Sequence, residues 1–97
     1  MVIISYAPIR DFTEANPAVG EALADWYFKC KAADWQSLAD MRRSFNNVDF
    51  VGNDRYVFNI KGNHYRLVAM VFFSRHTIFI RFVGTHREYD TIDVSTI

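Results

Sequence analysis

The stretch that most constrains the fold is 56–90, in which two short polar breaks separate three apolar runs. The runs are rich in β-branched and aromatic residues, which favour strands. The breaks, 61–64 and 74–77, have lengths typical of hairpin connections. The stretch therefore predicts a three-stranded antiparallel meander. It ends in a polar segment, 84–90, which is a candidate active site.

Gly62 and Asn63 form a good two-residue hairpin turn, because both residue types tolerate positive φ. With this turn, Asn59 faces Arg66, and facing residues share one face of a sheet. The predicted core face carries Tyr56, Phe58, Ile60, Tyr65, Leu67, Ala69, Val71 and Phe73. The other face carries Asn59, Lys61, His64 and Arg66. A shift of one residue would bury these polar groups, so this register is well specified.

The second turn sets how the polar segment meets the strands. If Arg75 and His76 are its central residues, Ala69 faces Phe82 on the core face and Arg66 faces Thr85, next to His86. This register collects one group on the face away from the helices: Lys61, Arg66, Arg81 and the segment 85–89. Met70, Phe72 and Phe79 lie on the same face, which suggests a groove or a partner site as much as a solvent face.

The N-terminal half predicts mainly helices. Residues 2–5 form a short strand, a helix begins at Pro8, and a second runs over 17–32 with Asn16 as its N-cap. Ser37 begins a short helix over 38–43, and 48–51 form a brief strand. This order predicts the α+β class, with an antiparallel sheet and the N-terminal helices packed on one face.

Length and composition indicate one folded domain over residues 1–97, since 51% of the residues are hydrophobic. Cys30 is the only cysteine, so an intramolecular disulfide is impossible and a reducing cytosol is favoured. No apolar run approaches the ~18 residues of a membrane helix. We therefore expect a soluble cytoplasmic protein that does not contact membranes.

The net charge is zero, with 11 basic and 11 acidic residues, but the charges are unevenly distributed. Residues 1–54 carry 5 basic and 8 acidic side chains, and residues 55–97 carry 6 basic and 3 acidic. Such a local basic patch can attract a phosphate backbone. An ordinary solvated distribution of charge explains an offset of this size equally well.

The predicted cluster at the end of the meander has the chemistry of an anion site. Guanidinium groups bind phosphate oxygens as a bidentate fork. A ribonuclease that uses the RNA's 2′-hydroxyl as nucleophile needs proton transfer and cations around the phosphorane. Histidine suits proton transfer near neutral pH, which favours His86 for that role. Arg66 and Lys61 suit the developing charge, Tyr89 suits stacking on a base, and Glu88 suits orienting His86 or acting as base.

Simpler interpretations stay open. A lone histidine after a strand is more often structural, and an arginine on a sheet usually pairs with a carboxylate. His64 and His76 are predicted at opposite ends of one strand, so a shared metal ion is not expected. The chain has no P-loop, dinucleotide fingerprint or Cys-x-x-Cys pair, and we expect no cofactor. The residues alone therefore predict an α+β domain with a cationic site.

The same residues resemble the HigB toxins, in the RelE-like superfamily of bacterial toxin–antitoxin ribonucleases. The matching segments of the meander are 58–63, 65–68, 79–86 and 88–90. Upstream, 16–17, 25–27, 33–35 and 49–53 also resemble this family. The resemblance covers nearly the whole chain and ends near Asp93. The hairpin combined with the Gly-Thr-His-x-Glu-Tyr-Asp ending is its most specific part.

The resemblance implies a RelE-like fold and an endoribonuclease (mRNA interferase) that cleaves ribosome-bound mRNA. It also implies a HigA-type antitoxin with a helix-turn-helix DNA-binding domain. Lys61 and Arg66 match the cationic strand positions, while His86 and Tyr89 match the C-terminal catalytic and stacking positions. The roles that the motif implies for Arg81 and Glu88 are less specific. The residues expected to contact RNA are Arg81, Asn63, His64 and Arg87.

The chain departs from its relatives in having fewer basic residues in the first helix and after Trp26-Tyr27. This departure, together with the zero net charge, favours contact with ribosomal RNA that is weaker or made through other surfaces. Two hypotheses therefore follow. The first is a metal-independent endoribonuclease toxin, and the second is a catalytically inactive RelE-like module that only binds an antitoxin or RNA.

Overall fold

The computed structural model describes residues 1–97, and a five-stranded sheet in the order β1-β5-β4-β3-β2 lies at its centre. The strands are β1 (Val2–Ile4), β2 (Val48–Phe50), β3 (Arg55–Ile60), β4 (Tyr65–Phe72) and β5 (Thr77–Thr85). β2 to β5 pair antiparallel, as the meander predicts. β1 pairs parallel with β5, so the sheet is mixed rather than wholly antiparallel. The α+β class is confirmed.

Three helices separate β1 from β2, and their ends follow the sequence signals closely. They are α1 (Ala7–Ala15), α2 (Gly20–Ala32), which follows a 3₁₀ turn over Pro17–Val19, and α3 (Leu38–Ser44). Pro8 lies in the first turn of α1, and the Ser37 hydroxyl caps α3 by accepting from the Asp40 N–H at 3.3 Å. The predicted capping role of Asn16 is wrong. Its side chain donates back to the Phe12 carbonyl and so closes α1.

The register of the first hairpin is confirmed, with Asn59 opposite Arg66. The backbone of its turn differs in one detail. Positive φ falls on Lys61 (52°) and Gly62 (67°), not on Asn63. The left-handed region is unfavourable for lysine, but this conformation turns the Lys61 side chain away from the Arg66 face. Its ammonium group donates to the Ala18 carbonyl at 3.3 Å, beside α2.

The predicted register of the second turn is wrong. Phe73–Arg75 form a 3₁₀ turn and His76 is left-handed (φ 51°), so the connection is longer than two residues and Phe72 pairs with Thr77. A β-bulge then inserts Arg81 opposite the step from Val68 to Ala69. Turn propensities do not predict the 3₁₀ turn or the bulge, because both depend on how β5 pairs with β4.

The bulge exchanges the faces of the residues that follow it. Phe82 pairs with Val68 on the face away from the helices, where the sequence had predicted a core position. Val83 instead packs against the core. Arg66 faces Gly84, not Thr85, and Thr85 faces Tyr65. The polar segment still reaches the end of β4, one residue out of the predicted register.

The core lies between the helices and the predicted face of the meander. Trp26 of α2 and Phe45 each meet Phe58 edge-to-face, with ring centroids 5.3 Å apart. Leu67 and Ile78 have no exposed surface. Cys30 is buried in the same core, and burial raises the pKa of its thiol, so it stays protonated and unreactive.

The C-terminal tail (residues 91–97) lies on the sheet face that carries no helix. It leaves the end of the sheet near Thr85, yet the Ser95 and Ile97 carbonyls accept from Asn53 and Arg55 at the other end of β3. Val57 and Val68 point to this face and are 5% and 0% exposed. The tail therefore crosses and covers this half of the face.

Asp93 orders the turn within the tail. Its carboxylate accepts from the Ser95 hydroxyl at 2.7 Å and from the Ser95 N–H at 3.1 Å. These bonds hold the pKa of Asp93 below its usual value. The turn is therefore fully stabilised at neutral pH and weakens as the pH falls and the carboxylate is protonated. None of the helices has the length and apolarity needed to cross a lipid bilayer.

Two phenylalanines on neighbouring strands test the position of the core. Phe58 is 1% exposed and Phe50 is 53% exposed. We expect Phe58→Ala to lower the free energy of unfolding by about 3–5 kcal/mol, because it removes a buried ring and leaves a cavity. We expect Phe50→Ala to cost under about 1 kcal/mol. Urea denaturation measures both, and equal losses would contradict this core.

Candidate active site

Arg66 is the one charged residue that the fold buries, with 9% of its surface exposed. Its guanidinium is folded back onto the hairpin turn. Nη1 donates to the Asn63 and Tyr65 carbonyls at 3.1 and 3.2 Å, and Nη2 donates to Asn63 Oδ1 at 2.8 Å. These bonds hold the guanidinium plane in one orientation.

No carboxylate pairs with Arg66. Carbonyl oxygens satisfy hydrogen bonds but carry no net charge, so this cation is buried without a counter-ion, which is unfavourable. Nε has no acceptor in the protein. Trp26 Nε1 is the only side-chain donor or acceptor that is both fully enclosed and without a partner. Arg66 Nε, which also lacks a partner, is therefore open to solvent. Arg66 is therefore oriented, charged and able to bind an external anion.

A short helix, α4 (His86–Tyr89), follows β5 directly. Thr85 and Glu88 form a capping box: the Thr85 hydroxyl accepts from the Glu88 N–H at 3.1 Å, and Glu88 Oε1 accepts from the Thr85 N–H at 2.9 Å. The spacing Thr-x-x-Glu in the sequence signals this cap. The capping box holds α4 at the edge where Arg66 lies.

His86, the first residue of α4, is held by two contacts. Its N–H donates to the His64 carbonyl at 3.0 Å, which joins α4 to the hairpin loop that also bonds Arg66. Its Nδ1 lies 3.1 Å from Asp90 Oδ2, one helical turn further on. The Asp90 carboxylate therefore borders the Nδ1 edge of the ring and leaves the Nε2 edge open. The ring is half exposed, so a ligand can reach it.

Gly84 leaves room for the Phe82 ring beside the start of α4. It is the partner of Arg66 across the ladder, two residues before His86. A Cβ at this position would lie 2.5 Å from Cζ of Phe82, whose ring covers the glycine. A side chain at this position would therefore displace the Phe82 ring.

The structure brings together only part of the predicted site. Arg66, Asn63, His64 and His86 meet at the hairpin end of β4, with the exposed Arg87 and the partly exposed Tyr89 on α4. Lys61 is directed towards Ala18. Arg81 lies in the bulge and lines an open cleft of about 540 Å³ with Asp11 and Phe12 of α1.

The carboxylate that contacts His86 belongs to Asp90, while Glu88 is engaged in the capping box. The spacing of His86 and Asp90, four residues apart in a helix, is the signal that points to Asp90. It is visible only once α4 is known to be a helix.

The site is an open surface, since neither Arg66 nor His86 lines any of the surface clefts. Small-molecule sites are usually concave, whereas a polymer can lie across a surface. No three histidine, cysteine or carboxylate side chains are arranged to bind a metal ion. The fold and site thus define a small α+β domain with an exposed anion-binding surface next to a helix-borne histidine.

Comparison with known proteins identifies the family. A family model described as HigB_toxin, RelE-like toxic component of a toxin-antitoxin system, matches residues 19–92. The mRNA interferase toxin HigB of Escherichia coli (strain K12) is 37% identical over 97 residues, covering 93% of this chain and 88% of that protein. The mRNA interferase HigB of Shigella flexneri gives the same figures. A further mRNA interferase HigB, from Escherichia coli O6:H1, is 32% identical over 94 residues, with 95% and 91% covered.

The chain therefore belongs to the HigB family, the RelE-like toxic components of toxin–antitoxin systems. This confirms the resemblance seen in the hairpin and in the C-terminal motif. It also gives the chain an antitoxin partner.

Gly84→Ala tests the packing between Phe82 and the start of α4. The added methyl forces the Phe82 ring to move, and we expect a loss of about 1–3 kcal/mol in the free energy of unfolding. In a Phe82→Ala background most of this loss should disappear, because the clashing ring is absent. A double-mutant cycle in urea measures the coupling, and additive losses would contradict the contact.

Proposed function

We propose that this chain is an mRNA endoribonuclease that inhibits translation, and that it cleaves RNA by attack of the RNA's own 2′-hydroxyl. The observation that carries this proposal is the buried, unpaired Arg66 guanidinium beside the start of α4. A scissile phosphate is the anion that fits it, since a guanidinium binds two phosphate oxygens at once. The mRNA interferases among its relatives support the same substrate class.

The proposed reaction is a transesterification. The 2′-oxygen forms a bond to phosphorus and the bond from phosphorus to the 5′-oxygen breaks, so no external nucleophile is required. One proton leaves the 2′-hydroxyl and one is delivered to the departing 5′-oxygen. Arg66 offsets the charge that develops on the phosphoryl oxygens, and this contribution does not depend on a metal ion.

His86 is the proton-transfer group in this proposal. Asp90 Oδ2 lies 3.1 Å from Nδ1, so Nε2 is the ring nitrogen left to exchange a proton with a reacting oxygen. Asp90 acts as a positioning residue, because a carboxylate beside Nδ1 favours the tautomer that carries its proton there. Glu88, engaged in the capping box, holds the start of α4, so we assign it a structural contribution rather than that of a base.

The remaining polar residues contact RNA around the scissile phosphate. Tyr89, partly exposed on α4, is suited to stacking on a base. Asn63, which bonds Arg66, its neighbour His64 and the exposed Arg87 of α4 are assigned to contact with the RNA backbone. Lys61 and Arg81 lie outside this cluster, so we assign them electrostatic contact with flanking nucleotides and no part in proton transfer.

The family assignment extends this proposal to the partners. We infer that the toxin domain spans residues 1–97, acts in the cytoplasm on message bound to ribosomes, and is neutralised by a HigA-type antitoxin with a helix-turn-helix domain. A catalytically inactive module that only binds an antitoxin or RNA is the second candidate, favoured by the uncovered apolar part of the sheet near Phe72. RNA cleavage by the purified chain in EDTA distinguishes the two.

Arg66→Ala and His86→Ala test the proposed active site. We expect the wild-type chain to arrest growth and cut translated mRNA, and either substitution to lower cleavage at least about 100-fold with the fold intact. Arg42→Ala is the matched control, because Arg42 also donates to a backbone carbonyl (Val48, 3.4 Å) but lies on α3. Primer extension on a translated message measures cleavage. Full toxicity of both site variants would exclude this mechanism.

Asp90→Asn and Glu88→Gln separate the two carboxylates on α4. Asparagine can donate to His86 Nδ1 and favour the wrong tautomer, so we expect a loss of roughly tenfold or more in kcat with little change in KM. Glutamine keeps the oxygen that accepts from the Thr85 N–H, so Glu88→Gln should stay within about twofold of wild type. The reverse order of effects would make Glu88 the functional carboxylate.

A further inference from the structure

The sheet face without helices is only half covered. The C-terminal tail lies over β3 and the neighbouring part of β4, where Val57 and Val68 are buried. The other half, next to β1, has no such cover. On β1, Val2 is 59% exposed and Ile4 is 40% exposed, although both point from the same face of the sheet.

Strand pairing makes the uncovered half one continuous apolar surface, which we call the apolar sheet face. In the ladder Ile4 lies beside Phe79 on β5, and Phe79 lies beside Met70 on β4. The Phe72 and Phe79 rings meet edge-to-face at 5.8 Å. Its members are Val2, Ile4, Met70, Phe72 and Phe79. Val2 and Ile4 are exposed, while Met70, Phe72 and Phe79 are partly exposed, so the surface is apolar and continuous across three strands.

The charge at the rim of this surface indicates what covers it. Arg75 holds its guanidinium 5.6 Å from the Phe72 ring centroid and pairs with no carboxylate in the chain. Arg55, beside Met70, is the other rim cation and is bonded to the Ile97 carbonyl. The rim therefore favours a partner segment with acidic residues at its ends.

The size of the surface favours a segment over a second copy of this chain. Three strands and about three residues of each give an area on the order of 200 Å². A stable interface between two folded domains needs roughly 800 Å² from each partner, so this face alone does not hold a dimer. A short apolar segment that continues onto neighbouring surfaces fits better.

We propose that the apolar sheet face is the docking surface for the antitoxin, which binds it through an apolar segment flanked by acidic residues. This inference rests on the toxin–antitoxin assignment and deepens the proposed function by naming where the partner binds. The surface lies towards the far end of β4 from Arg66, and its Phe72 is about 20 Å away at the rise of a strand. Docking there leaves the catalytic residues themselves unaltered.

Ile4→Glu and Phe79→Glu test the docking surface, because each puts a charge in the apolar contact. Phe50→Glu is the matched control, since Phe50 is 53% exposed but lies on β2, outside the surface. The binding probe is the protein encoded by the gene adjacent to the one for this chain, titrated calorimetrically. Circular dichroism checks folding, and RNA cleavage without the probe checks the active site.

We expect both surface variants to lose at least about 30-fold in affinity and to remain toxic when the probe is co-expressed. Phe50→Glu should bind and be neutralised like wild type. Arg75→Glu should also weaken binding, whereas Arg43→Glu on α3 should not. Wild-type affinity in both surface variants would overturn the proposal.

Two other outcomes identify a different occupant and would also overturn it. One is loss of RNA cleavage with retained binding of the probe, which would make the surface an RNA contact. The other is a change in the oligomeric state of the free chain, which would make it a contact between copies. If the wild-type chain binds the probe through this surface but cuts no RNA, the proposed function fails while the docking surface stands.

Discussion

The buried charge of Arg66 is the constraint on which the functional part of this structure depends. A buried guanidinium without a counter-ion lowers stability, which indicates that its position serves a function. Here the guanidinium donates to three carbonyl oxygens around the hairpin turn, two from the backbone and one from the Asn63 side chain. Because these oxygens carry no net charge, the positive charge of Arg66 stays available to an external anion. The α-helical layer stabilises the opposite face of the sheet and takes no part in this arrangement. The hairpin turn is therefore organised around one cation, and α4 is joined to the same turn through His64.

The register of the first hairpin was predictable because it depends on local chemistry. Gly62-Asn63 and the alternation of apolar and polar residues on both strands specify one pairing, and a slip would bury Asn59 and Arg66 on the wrong face. The second hairpin was not predictable in the same way. Its turn contains a 3₁₀ segment and a left-handed His76, and the bulge at Arg81 depends on contacts across the sheet. The faces of Phe82 and Val83 were assigned wrongly for this reason.

In the candidate site, too, the features that depend on local sequence were predictable and those that depend on long-range contacts were not. Arg66 and His86 were expected at one end of the sheet, and they lie there, because the hairpin register and the length of β5 decide it. Lys61 was expected beside them, but its left-handed backbone directs the side chain to Ala18. Asp90 was not singled out, because its contact with His86 exists only in the helix that the Thr85–Glu88 capping box begins.

The central claim is that Arg66 and His86 catalyse attack by the RNA's own 2′-hydroxyl. The most direct measurement is mass spectrometry of the ends produced when the purified chain cuts a translated message in EDTA. The account predicts 5′-hydroxyl ends together with 2′,3′-cyclic phosphates or the 3′-phosphates formed from them, and no cleavage where the scissile nucleotide is 2′-deoxy. Ends with a 5′-phosphate and a 3′-hydroxyl, or cleavage that EDTA abolishes, would contradict it.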